Sequence, residues 1–326
     1  MAITGLGGHV LGSWQEKGNK EFLWIRDYLP KELPTMRMIL FGYDTTLKGT
    51  HSFKTTYEIA NDLISHLTMS GWGEPSAKPI VFLAHSLGGV IFKQAVVAIA
   101  NSPAASTMLR LLKGAVFFGV PNFGMDQAHL ETAVCGQPSE RLVKYLRSGN
   151  ETLLRMDEAF ANLAASRSME FLWGYETLES PIALVRQTVV NRRFCADGRL
   201  QTASGKFDPD GPRKQLVSPH SATRGLCHDP KASGSVFAID ETHSDMAKFG
   251  DGSLYSKRVA DFLSKLSLSK TSPQTSPSPS MPMLGKWGIY AALDHSTERT
   301  ERQLSAQGKQ PTDPRLPREY RAYQRA

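Results

Sequence analysis

The sequence predicts an α/β chain: a mostly parallel, doubly wound sheet with helices on both faces. Three observations carry that expectation. Short β-rich runs alternate with segments of helical period, in the order strand, helix, strand, helix, strand, helix, strand, helices, strand, strand. Several of those runs are continuously apolar, as at residues 80–84 and 114–120, which suits parallel strands covered on both faces. One run ends in Ala84-His-Ser-Leu-Gly88, a strand–serine–helix turn of the nucleophile-elbow type, with Ala in place of the first Gly of G-x-S-x-G.

Taken in order, residues 2–8 read as a strand end entering a glycine-rich turn, which can aim backbone N–H groups inward. The chain starts almost inside that strand, so the first strands of the full sheet are expected to be missing. Residues 19–29 space Phe22, Ile25 and Leu29 as a helix that Pro30 and Pro34 end. Residues 36–43 are an apolar strand closing on Asp44. Thr55 and Glu58 form a capping-box signature, and Ile59, Leu63, Ile64 and Leu67 continue its helix. A loop through Gly71 and Pro75 returns to the elbow strand. The helix after it, from Leu87, places Val90, Ile91, Ala95 and Ala98 on one face.

Residues 114–120 form the next buried strand, ending at Pro121-Asn-Phe-Gly124. Residues 125–165 read as mainly helical and stand where a hydrolase inserts a cap over its pocket. Residues 169–175 are a strand ending at Glu176, and residues 182–190 the last strand. Residues 196–234 hold five Gly and four Pro with no apolar periodicity, so a disordered insertion foreign to the domain is expected there. Order returns at residues 235–243, a short strand or loop. A helix from about Leu254 turns Val259, Phe262, Leu263 and Leu266 inward. The expected organisation is one domain over residues 1–266, interrupted at 196–234, then a Ser/Pro-rich linker at 267–282 and a basic, disordered tail at 283–326.

The formal charge of +7 is unevenly spread. Residues 270–326 carry nine basic against five acidic side chains and residues 196–234 six against four, leaving about +1 for the rest. No basic face with interleaved aromatics suggests nucleic acid. Cys135, Cys195 and Cys227 are widely spaced and odd in number, which argues against a disulfide framework and for a reducing, intracellular compartment. No signal peptide and no membrane-spanning run is legible.

The chemistry centres on Ser86. A sharp strand-to-helix turn strains its backbone and lifts Oγ clear of the sheet, and small neighbours at Ala84, Gly88 and Gly89 permit that turn. The helix N-terminus adds partial positive charge and free N–H groups where an oxyanion would form. A serine in this setting needs a histidine base and a carboxylate to orient it, in the chain order Ser, acid, His. His85 abuts the nucleophile but points away from the turn. His9, His51, His66 and His129 precede the last strands, His220 and His228 lie in the expected insertion, and His295 in the tail. That leaves His243. Glu176, at the end of its strand, is the candidate acid, with Asp197 as runner-up. Asp240, Glu241 and Asp245 stand too close to His243 in sequence to orient its ring.

Seven blocks in order carry a resemblance. They are Gly5-Leu-Gly-Gly8, Trp24-Ile-Arg-Asp27, Phe41-Gly-Tyr-Asp44, Phe82-Leu-Ala-His-Ser-Leu-Gly-Gly-Val90, Val116-Phe-Phe-Gly-Val-Pro121, Tyr175-Glu-Thr177 and Thr242-His-Ser-Asp-Met-Ala-Lys-Phe249. Over residues 2–195 and 235–266 the chain resembles the α/β-hydrolase domains of serine-active-site-containing (SERAC-type) proteins. It is also similar to the hydrolase domains that head many fungal NLR-like receptors, and more distantly to lipase-like families. The resemblance implies an α/β-hydrolase fold, Ser86 as nucleophile, Glu176 as acid, His243 as base, and the Leu87 and Leu6 N–H groups as oxyanion hole. Thr4 stands where the family pattern has His. Gly119-Val-Pro-Asn-Phe-Gly124 replaces the usual Gly-Thr-Pro-His-Arg-Gly.

The resulting expectation is a serine hydrolase acting on an ester, in the lipid class by resemblance, with no metal or organic cofactor. Such a substrate would bring peripheral membrane contact. Relatives of this type are associated with mitochondria and endoplasmic reticulum. Two other classes stay open: an effector or signalling domain of an NLR-like receptor, and a truncated, non-catalytic relic. No protein partner is legible.

Overall fold

Alternate residues of the central strands feed two separate cores. Ile80, Phe82 and Ala84 belong to one and Leu83 to the other; Ala115 and Phe117 face one way, Val116 and Phe118 the other. This two-sided burial follows from the period-2 direction of strand side chains, and it explains why these strands show no polar alternation. In the computed structural model the strands are β1 (Ala2–Ile3), β2 (Ile39–Phe41), β3 (Ile80–His85), β4 (Leu112–Phe118), β5 (Glu170–Glu176) and β6 (Val236–Ile239). They pair in parallel in the order β6-β5-β4-β3-β1-β2, and Tyr290–Ala292 pairs in parallel with β2 at the edge. The structure describes residues 1–182 and 212–266, except 45, 48, 49, 75, 103 and 104, together with 193–194, 200–201 and 290–292.

The principal helices are α1 (Thr56–Met69), α2 (Leu87–Ala100), α3 (Glu151–Ser166) and α4 (Leu254–Lys265). Helix α1 starts at the capping box read from the sequence: Thr55 accepts from the Glu58 N–H, and Glu58 accepts from the Thr55 N–H at 2.7 Å. Helices α1 to α3 cover one face of the sheet, through Ile59, Ile91 and Phe160; α4 packs on the other through Val259 and Leu263. The region between β4 and β5 is helical as expected, at Ala128–Val134, Glu140–Tyr145 and α3. The α/β expectation, with helices on both faces of a parallel sheet, holds.

Several expectations change. Asn19–Leu23 is a strand, paired antiparallel with Gln15–Glu16 across a turn at Gly18, whose φ is +90°. The helix begins only at Trp24, and Pro30 lies inside the first turn of the following helix, Leu29–Glu32, where a proline lacks no needed donor. The spacing of Phe22, Ile25 and Leu29 is thus split between a hairpin and two short helices.

The strand beside β5 is β6, and residues 183–190 of the strand expected there lie outside the described residues. The expected disordered insertion at 196–234 is folded over its second half. Arg213–Lys214 pairs antiparallel with Ser180–Pro181, and Val217, Ala222 and Thr223 are fully buried. Leu216, Val217 and Ala222 join the core without forming a periodic face, and hydrogen bonds from Asn122 and to Glu176 hold the backbone between them. Residues 195–199 and 202–211 lie outside the described residues, as do the linker and all of the tail but Tyr290–Ala292, which the expected disorder does not fit. Cys135 is disulfide-bonded, against the expectation from the odd cysteine count.

Candidate active site

Ser86 stands at the turn between β3 and α2. It sits at φ 51°, ψ −124°, a region that L-residues avoid at a cost of about 1–3 kcal/mol. Its N–H donates to the Phe118 carbonyl at 2.9 Å, and its own carbonyl accepts from Gly89 N–H at 3.0 Å. The surrounding small residues are required by space. A Cβ on Gly88 would come within 2.6 Å of the Ile3 and Thr4 carbonyl oxygens, one on Gly89 would overlap the Val120 side chain, and one on Gly5 would lie 2.8 Å from Ser86 Cβ.

Ser86, His243 and Glu176 form one hydrogen-bonded chain. The Ser86 Oγ is 2.9 Å from His243 Nε2, and His243 Nδ1 is 2.5 Å from Glu176 Oε2. Glu176 is an acceptor when ionised, so Nδ1 carries the proton and Nε2 is left to accept from the serine hydroxyl. The other carboxylate oxygen, Oε1, accepts the N–H groups of Leu216 and Val217 at 2.8 and 3.0 Å. Glu176 is fully buried, Ser86 5% exposed and His243 6% exposed. Little solvent screens the chain, which strengthens each of its electrostatic contacts.

His243 is fixed at its backbone as well as its ring. Its N–H donates to Ser180 Oγ at 3.1 Å, and its carbonyl accepts from His85 Nε2 at 2.8 Å. His85 therefore points away from the serine and anchors the base instead. Burial, with the neighbouring His243 adding to it, pushes the His85 pKa down to about 3, so the ring is neutral, and its Nδ1 has no partner among the described residues. Gly119, at φ +54°, leaves room for the imidazole: a Cβ there would lie 3.0 Å from His243 Cε1. On the far side of the sheet, Trp24 Nε1 donates to the Ala247 carbonyl at 2.9 Å and packs on Phe249 at 4.9 Å between ring centroids, which ties down the loop after His243.

Leu87 begins α2, so its N–H belongs to the first turn, which has no intrahelical acceptor. Leu6 lies within the turn that Gly8 N–H closes on the Gly5 carbonyl at 3.1 Å. Thr4 hydrogen-bonds Ser13, and its carbonyl accepts from the buried Tyr43 hydroxyl at 2.9 Å. The runner-up acid, Asp197, lies outside the described residues. Sequence reading missed Ser180 and the Leu216 and Val217 donors. A backbone N–H leaves no trace in residue type, and Ser180 stands 63 positions from the histidine it meets.

No family model matches the chain. Among curated proteins it is 28% identical over 220 residues to protein SERAC1 of Danio rerio, covering 60% of this chain and 33% of that protein. It is 24% identical over 202 residues to protein SERAC1 of Homo sapiens, covering 56% and 30%. The chain spans about a third of the length of these curated relatives. The SERAC-type resemblance carried by the seven blocks is thus the one the comparison returns. Among solved structures, phospholipase PlaB from Legionella pneumophila aligns with a TM-score of 0.40 at 14% identity, over 55% of this chain and 37% of that one.

Proposed function

We propose that the chain is a serine hydrolase of the lipase-like class, acting on a carboxylic ester through an acyl-enzyme. The observation that supports this best is the unbroken hydrogen-bonded chain from the strained Ser86 through His243 to Glu176. In the proposed reaction His243 Nε2 takes the Ser86 hydroxyl proton as Oγ attacks the ester carbonyl carbon. The imidazolium that forms is held by Glu176, whose own charge is held by the Leu216 and Val217 N–H groups. The N–H groups of Leu87 and Leu6, with the α2 N-terminus behind them, stabilise the tetrahedral oxyanion. The intermediate collapses as His243 returns the proton to the leaving alcohol. Water, deprotonated by His243, then releases the acid and restores Ser86. A lipidic ester is the substrate class the lipase-like resemblance favours, and peripheral contact with a membrane would accompany it. No described helix is long and apolar enough to cross a membrane.

A fluorophosphonate probe tests the reading. It should label the wild-type protein covalently, and Ser86→Ala should lose all labelling while keeping its melting temperature within a few degrees. A folded wild type that takes no label supports a non-catalytic relic instead.

A further inference from the structure

The segment that supplies the Leu216 and Val217 donors to Glu176 runs on into the short helix Pro219–Ala222, and there it is gripped by side chains the proposed reaction does not use. Asn122, just after β4, donates Nδ2 to the Ser221 and Ala222 carbonyls at 2.7 and 3.1 Å. Asp157, on α3, accepts Arg224 Nε on Oδ2 at 2.7 Å and Lys93 Nζ on Oδ1 at 2.5 Å. Lys93, two turns into the helix that Ser86 caps, also donates to Asn122 Oδ1. Lys93, Asn122 and Asp157 are each 1% exposed. Arg224 is held at φ +54°, a conformation few non-glycine residues adopt.

A buried ion pair is seldom a net source of stability, since desolvation offsets most of its attraction and apolar replacements are often as stable. What such a pair does supply is fixed geometry. Here the fixed object is the strap from residue 216 to residue 224. One end of it holds the carboxylate that orients His243. The other is tied to the helix that follows Ser86.

We propose that the Arg224–Asp157 ion pair, seated on Asn122 and Lys93, is a remote positioning unit for Glu176, keeping the strap's two N–H donors on the carboxylate. None of its members touches the reacting atoms. The proposal rests on the serine-hydrolase reading.

A double-mutant cycle on the full chain tests it, read as the second-order rate of fluorophosphonate inactivation and as kcat and KM on a 4-nitrophenyl ester. Arg224→Ala should slow inactivation and lower kcat by about tenfold or more, leave KM within about twofold, and be partly rescued by Arg224→Lys. In a Glu176→Gln background the same Arg224→Ala change should cost less than about twofold, because the residue through which it acts is already disabled. Losses that multiply across the two sites overturn the proposal and leave the hydrolase reading standing. A folded wild type with no labelling overturns that reading and the proposal together. Thermal melting checks folding; should Arg224→Ala fail to fold, Arg224→Gln, which keeps the length of the side chain without its charge, carries the cycle under the same criteria.

Discussion

Glu176 does two jobs with two oxygens. Oε2 takes the His243 Nδ1 proton's hydrogen bond, and Oε1 takes two backbone donors. Glu176→Gln separates the jobs. The amide oxygen can still accept from Leu216 and Val217, which turns the amide NH2 toward Nδ1. Nδ1 must then become the acceptor and the proton moves to Nε2, where it blocks the serine. The swap should therefore fold normally yet lower kcat by about 10³- to 10⁴-fold, the scale of a wrong-tautomer defect in such a chain. Steady-state kinetics beside a thermal melt checks this, and a loss under tenfold would mean that another group orients His243. Ser86 and Glu176 could be named as candidates because the roles proposed for them depend on local placement, one on a strand-to-helix turn among small residues and the other at a strand end. His243 could be named as the candidate base by elimination, as the histidine left in patterned sequence after the last strands.

At the scale of elements, the loop that bears His243 is shaped from the opposite face of the sheet. Trp24 reaches it through the hydrogen bond to the Ala247 carbonyl, within an aromatic cluster that includes Phe118 and Phe249. Trp24→Phe keeps most of the packing but leaves that buried carbonyl without its donor, at a cost of about 1–3 kcal/mol. A urea melt should read that loss, and kcat should fall with it as the loop loosens; unchanged stability would show that the bond contributes nothing. The capping box at Thr55 was readable because it is written within four residues. The hairpin before Trp24 was not, since Phe22, Ile25 and Leu29 fit a helical spacing that the turn at Gly18 overrides. The strap escaped for a different reason. Its anchors, Asn122 and Asp157, lie 67 to 100 positions away from their partners in the chain, and its contribution to the site is made with main-chain N–H groups.

Across the whole molecule, the site is built where four sheet-borne segments converge: the elbow after β3, the loop after β4, the end of β5 and the loop after β6. That convergence buries His85 as well as Ser86, Glu176 and His243. With its pKa lowered from 6.5 to about 3 by burial, His85 binds a proton in the unfolded chain but not in the fold across that interval. The stability it secures is complete above pH 6.5 and is lost as the pH falls toward 3. His243, Lys248 and Asp245 face the same ring and are common to both proteins when wild type is compared with His85→Gln. The wild-type stability, followed by chemical denaturation from pH 7 to pH 4, should fall more steeply than that of the variant; parallel curves would show that His85 takes up its proton without unfolding. Four of the seven sequence blocks, those at residues 82–90, 116–121, 175–177 and 242–249, map onto this convergence, whereas residues 212–226 lie outside all seven. The central claim is that Ser86 becomes acylated. Rapid mixing with a 4-nitrophenyl ester, followed by acid quench and peptide mass mapping, tests it directly. A burst of about one nitrophenol per protein, with the acyl mass on the peptide that carries Ser86, is the result expected. Steady turnover without a burst and without an adduct in a slow-deacylating ester, or an adduct on another residue, would contradict it.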